Sequence, residues 1–148
     1  MNFREITTHD LLKRALTELK TEYIKVAITD IDGVLRGKYI HVDKFLKATK
    51  EGLGFCDVIF GWDSADELYD FNHTNSSDLF TGWHTGYPDA PAKIDINSYR
   101  EIPWEPGTAL FIADFEYPDG TPYPACPRQL CKTILQKADD MGYEVKSA

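Results

Sequence analysis

The order of elements along this 148-residue chain predicts an α+β domain, with strands paired through hairpins and helices packed to one side. Two observations carry that reading. The apolar, β-branched run "YIKVAITD" leads into Asp32-Gly33, a two-residue hairpin signal, and "VLRGKYIHV" reads as the returning strand. An amphipathic helical pattern stands near each end of the chain, and no regular βα alternation runs between them.

In chain order, "TTHDLLKRALTELKTEY" predicts a helix whose apolar stripe is Leu11, Leu12, Ala15, Leu16 and Leu19, with Thr7 and Asp10 at capping-box spacing. After the hairpin, "DKFLKAT" reads as a short helix that Asp43 caps, and the glycines of "EGLG" end it. "FCDVIFGW" is a further strand candidate. From Asp63 to about Pro106 the periodicity dissolves into a long loop rich in Asp, Asn, Ser, Gly and Pro. Its aromatics (Tyr69, Phe71, Phe80, Trp83 and Tyr87) point to packing rather than disorder. "TALFIADFEY" is the clearest buried strand, and "PDG" turns the chain after it. "CPRQLCKTILQKADDMG" is the clearest helix: Pro127 opens it, Leu130, Ile134, Leu135, Ala138 and Met141 form the expected buried stripe, and Gly142 stops it. "YEVKSA" begins one more strand.

Bulk properties exclude several classes. The net charge of −8 argues against a nucleic-acid binder and against docking on anionic lipid, because both need a basic face. No run is apolar enough to span a membrane, and the first twenty residues are too polar for a signal peptide. Cys56, Cys126 and Cys131 form no C-x-x-C pair, as expected of free thiols in a reducing, cytoplasmic setting.

Asp30 and Asp32, at the end of an apolar strand, allow two readings. In "DIDGVL" they resemble the first motif of the haloacid-dehalogenase-type phosphohydrolases, where one carboxylate attacks phosphorus and the other handles protons. That chemistry also needs a lysine and a further acidic pair; Asp139-Asp140 is the one adjacent pair of aspartates, and Lys132 and Lys137 share its helix. The other reading is a hairpin turn in which Asp-Gly serves the backbone.

As a longer pattern, the chain from about Ile24 onward resembles the N-terminal region of glutamine synthetase-type ligases. "ITDIDGVLRGKYIHVDKF" is similar to that family's opening hairpin, D-x-x-G-x-x-R-G-K with an apolar tail. "EGLGFCDVIFGWDSADE" follows, and then the ordered set S-D, P-D, P-W-x-P-G-T-A, an apolar strand ending in Asp, D-G-x-P, P-R opening a helix, and G-Y. The resemblance implies a β-grasp-like domain over residues 24–148, a curved sheet with helices on one face, preceded by a helix in residues 1–23. It implies a ligase that joins glutamate to ammonia or another amine through γ-glutamyl phosphate. ATP and Mg2+ or Mn2+ are expected only in a full-length protein, with no cofactor or metal in this chain, which is expected to be inactive alone and to stop before the catalytic domain. Its partners are then neighbouring subunits of a homo-oligomeric ring, with glutamate and the amine as small-molecule substrates.

By position in the resemblance, Asp63 of "GWDSAD" is the catalytic carboxylate that binds the amine, and Ser64 joins it in substrate binding. Where many members carry Gly after this Asp, this chain has "WDSADE", with Asp66 and Glu67 close behind. Arg36 and Lys38 fall on the returning strand, either at a subunit contact or on a solvated face. Arg128 is expected to pair with Asp114. His41, His73 and His84 show no metal-ligand spacing. A third reading is a non-catalytic interaction module, and an isolated domain of this kind is expected to expose an apolar patch.

Overall fold

A computed structural model describes residue 6, residues 8–69 and residues 80–146. Thr7, Phe71 and His73 lie outside the described residues. Five strands form one sheet: β1 (Tyr23–Thr29), β2 (Leu35–His41), β3 (Leu53–Cys56), β4 (Asp89–Glu101) and β5 (Ala109–Phe115). Three helices accompany it: α1 (His9–Leu19), α2 (Val42–Glu51) and α3 (Pro127–Asp140). The sheet order is β2-β1-β5-β4-β3. The central pair β1 and β5 is parallel, and every other neighbour pair is antiparallel. This is the α+β architecture that the element order predicts, in the β-grasp-like form that the resemblance implies.

One sheet face holds the core. Ile24, Val26 and Ile28 of β1 alternate inward with Phe111, Ala113 and Phe115 of β5 and with Ala90, Ala92 and Ile94 of β4. Leu12, Ala15 and Leu16 of α1 and Phe45 and Ala48 of α2 cover them, and the Phe45 and Phe111 rings lie 4.7 Å apart. The sheet curls until its edge strands approach: Lys38 Nζ of β2 lies 4.9 Å from the Phe55 ring of β3 and donates to the Gly54 carbonyl at 3.4 Å. Between Arg36 and Lys38, Gly37 is demanded by this curvature, because a Cβ there would stand 2.6 Å from the Val26 carbonyl.

Several local expectations need correction. The β1–β2 turn is a three-residue loop rather than the two-residue one, with the Asp30 amide bonded to the Val34 carbonyl and Gly33 at φ 83°. Helix α1 is capped by Thr8, whose Oγ1 accepts the Leu11 amide. Helix α2 is capped by His41 Nδ1, which accepts the Asp43 amide; Asp43 itself sits inside the first turn. "FCDVIFGW" is a strand only to Cys56, because Ile59 and Phe60 are both buried and consecutive residues of a strand face opposite ways. Asp57–Phe60 therefore wind into a 3-10 turn.

The largest correction is β4, thirteen residues long, in the stretch read as loop. Its Ala92, Ile94 and Ile96 alternate, but the register against β5 shifts between Asp95 and Arg100. The loop-type residues Asp95, Asn97 and Ser98 build that bulge. The buried Ser98 hydroxyl donates to the Asp95 carbonyl at 2.5 Å and accepts the Ile112 amide at 2.7 Å, standing in for a ladder partner.

Helix α3 forms as predicted, but its stripe is not buried: Leu130 is 62% exposed, Ile134 53% and Met141 71%. The helix instead turns its basic side to the sheet face opposite the core. Arg128 and Lys132 pair with Asp114 of β5 and Asp95 of β4, which the strand register places on that face. Gly142, at φ 83°, ends the helix, and the Tyr143 amide bonds back to the Ala138 carbonyl. Residues 143–146 are not a strand.

Two measurements check these assignments. Ser98→Ala strands the Ile112 amide and is expected to lower the unfolding free energy by about 1–3 kcal/mol in urea titrations. Leu130→Ala and Ile134→Ala are expected to stay within about 0.5 kcal/mol of wild type, whereas Phe45→Ala should cost about 3–5 kcal/mol.

Candidate functional site

The residues singled out for chemistry gather at one end of the curled sheet, where two acidic turns of the same construction meet. In the first, the Asp30 amide donates to the Val34 carbonyl at 2.9 Å and the Gly33 amide to the Asp30 carbonyl at 3.1 Å. Asp30 Oδ1 accepts the Asp32 and Val34 amides at 3.0 and 2.8 Å. In the second, the Asp63 amide donates to the Glu67 carbonyl at 3.0 Å and the Asp66 amide to the Asp63 carbonyl at 3.1 Å. Asp63 Oδ1 accepts the Ala65 and Glu67 amides at 2.8 and 3.1 Å. The left-handed position is Gly33 in one turn and Asp66, at φ 66°, in the other.

One side chain joins the two turns. Arg36 donates through Nε to Asp30 Oδ2 at 2.7 Å, through one terminal nitrogen to Asp66 Oδ1, and through the other to the Asp63 carbonyl at 3.4 Å. Its guanidinium lies 5.4 Å from the Trp62 ring. Asp30 raises the pKa of Arg36 through their hydrogen bond, and the Asp66 charge adds to this.

The aspartates therefore differ in what they leave available. Asp30 is fully buried, with its carboxylate divided between two amides and a guanidinium. It has no oxygen to offer a phosphorus atom, so the phosphohydrolase reading loses its nucleophile and Asp30 serves the hairpin. Asp63 is half-buried; Oδ1 is held by the turn, and Oδ2 accepts no hydrogen bond among the described residues. Ser64, beside it, is exposed.

Elsewhere, Arg128 pairs with Asp114 at 2.5 Å, as the sequence suggested, and with Asp95 at 2.7 Å. Burial pushes the Asp95 carboxyl up, but hydrogen bonds from Arg128 and the Asn97 amide outweigh it and hold the pKa low. His41 serves as a helix cap. Among the described residues no three His, Cys, Asp or Glu side chains converge where a metal ion would sit.

Sequence reasoning missed the link between Arg36 and Asp66. The available signal was an acidic residue occupying a turn position that favours glycine. It also missed Asp57, whose buried carboxylate accepts the Thr81 hydroxyl at 2.7 Å and so holds the segment after residue 80 against the 3-10 turn. Desolvation raises the Asp57 pKa above 3.8, against the Thr81 hydrogen bond, and Asp89 adds to the rise. A raised carboxyl pKa means that ionisation costs stability as pH climbs through the folded value. Asp57→Asn keeps the acceptor for Thr81 without the charge. Thermal melts are expected to show this variant more stable than wild type at pH 7, with the gap closing as pH falls toward 3.8.

No family model matches the sequence. Individual proteins do. The chain is 43% identical over 139 residues to type-1 glutamine synthetase 2 of Dictyostelium discoideum, an alignment covering 94% of this chain and 26% of that protein. It is 36% identical over 126 residues to glutamate–isopropylamine ligase of a Pseudomonas species, covering 84% and 26%. To gamma-glutamylethanolamide synthetase GlnA4 of Streptomyces coelicolor it is 31% identical over 121 residues, covering 81% and 25%. Among solved structures, a GmaS/ADP complex superposes with a TM-score of 0.65 at 24% identity, over 92% of this chain and 26% of that one, a likeness of fold. The chain thus spans about a quarter of the length of the curated relatives it matches. Over that span, the ordered motifs, the β-grasp-like sheet and the relatives agree: the chain belongs to the glutamine synthetase family.

Proposed function

We propose that this chain is the N-terminal, β-grasp-like part of an ATP-dependent ligase that joins glutamate to ammonia or another amine. Residues 24–148 form that part and residues 1–23 supply the preceding helix. The observation that carries the reading is the state of Asp63: one carboxylate oxygen is fixed by two backbone amides, and the other is left open among the described residues. A fixed carboxylate stabilises an ammonium-type cation on arrival and accepts its proton as the neutral amine attacks. Ser64, exposed beside it in the same turn, would join it in binding the amine. Relatives named for isopropylamine and ethanolamide support an amine acceptor, and the open acidic turn is where acceptors would be distinguished.

In the proposed reaction ATP activates the γ-carboxyl group of glutamate as γ-glutamyl phosphate, and the amine displaces phosphate. ATP and the divalent metal are expected to be held outside the described residues, among which no three ligating side chains converge. In this reading phosphoryl transfer is carried by the remainder of the ligase. Asp63 would complete a neighbouring subunit's active site within a homo-oligomeric ring. The three free cysteines suit the cytoplasm. No helix among the described residues is long and apolar enough to cross a membrane.

The test uses the full-length ligase, assayed for glutamate-dependent phosphate release from ATP with ammonium chloride or isopropylamine as acceptor. Asp63→Asn is expected to lower turnover about 100-fold or more at subsaturating amine, with the KM for glutamate unchanged. Absence of any glutamate-dependent release would favour the interaction module. Phosphoester hydrolysis by this chain with magnesium, abolished in Asp30→Asn, would restore the phosphatase.

A further inference from the structure

Two turns built on the same hydrogen bonds are completed differently. The Asp30 turn has Gly33 at its left-handed position, where glycine carries no steric cost. The Asp63 turn has Asp66 there, at φ 66°, a conformation that costs a residue with a Cβ more than glycine, though Asp and Asn tolerate it better than most. Nothing in the turn's own backbone bonding requires a carboxylate at that position. What Asp66 gains is its ion pair with Arg36, whose side chain is already oriented by the buried Asp30. Removing that pairing would leave the Asp66 carboxylate, three residues from Asp63, without its cation, and would loosen the contact of Arg36 with the Asp63 carbonyl.

We infer that Arg36 and Asp66 are positioning residues for Asp63. Arg36 ties the Asp63 turn to the rigid β1–β2 hairpin through Asp66 and neutralises the second carboxylate. The negative charge left for an incoming cationic amine is then that of Asp63. This inference rests on the proposed role of Asp63 in amine capture. Neither residue touches the amine; both act by fixing the turn, so their loss would weaken amine recognition without touching glutamate or ATP.

Asp66→Gly isolates the effect, because glycine suits φ 66° and the Asp30–Arg36 pair inside the fold is left intact. In this chain, hydrogen exchange at the Ala65 and Glu67 amides, which bond Asp63 Oδ1, is expected to quicken about tenfold as the tether is lost. Exchange at the Asp32 and Val34 amides of the companion turn should stay unchanged. In the full-length ligase, the same variant is expected to raise the KM for ammonium or isopropylamine about fivefold, with the KM values for glutamate and ATP unmoved. Asp66→Asn, which tolerates the left-handed backbone and keeps an acceptor for Arg36, should recover part of the loss. Unchanged exchange and unchanged amine KM in Asp66→Gly, alongside a damaged Asp63→Asn, would overturn the positioning role while leaving Asp63 in place. An unaltered amine KM in Asp63→Asn would overturn both.

Discussion

Arg36 is the contact on which the putting-together of this end of the domain depends. Its charge is met by Asp30, buried at the tip of the first hairpin, and by Asp66 in a turn some thirty residues on. A buried carboxylate without a partner would cost several kcal/mol by order of magnitude, so Asp30 and Arg36 hold each other in place. Two backbone amides satisfy the remaining oxygen of Asp30. The arginine thereby becomes a rigid bracket, and the loop that follows β3 is hung from it. Through Asp66 and the Asp63 carbonyl, the bracket holds the turn that carries Asp63 against the first hairpin.

A second constraint is the difference between the two faces of the sheet. One face is apolar and closed by α1 and α2, with Phe45, Phe111 and Phe115 fully buried. The other presents Asp95 and Asp114 where α3 lies. A helix can meet such a surface only with its cations, so Arg128 and Lys132 turn inward and Leu130, Ile134 and Met141 turn to solvent. Electrostatics chose the docking face of α3 over the hydrophobic stripe, which inverts the usual orientation of an amphipathic helix.

Much of the fold was legible because its signals are local. The β1–β2 hairpin, α1, α2, β5 and α3 each follow from periodicity and turn chemistry within a dozen residues. Strand β4 was not, because Asp95, Asn97 and Ser98 carry loop-type chemistry that belongs to a bulge, and only pairing with β5 gives it meaning. The site divides in the same way. Asp63 was singled out through family resemblance and Asp30 through its motif, yet their different availability depends on which of them Arg36 covers. Pairing of Arg128 with Asp114 could be anticipated; the recruitment of Asp95 could not, since it waits on the register of β4.

The sequence by itself determined the α+β class, the hairpin, the helices, the family and the acidic segment at residues 63–67. These rest on short-range periodicity, turn preference and ordered motifs, all written along the chain. Only the tertiary structure decided that Asp30 is closed while Asp63 Oδ2 accepts no hydrogen bond among the described residues, that Asp66 takes a left-handed conformation beside Arg36, and that α3 faces the sheet with its charges. Each of those outcomes depends on which distant side chains meet, and the satisfaction of buried charge is settled by contacts across the fold.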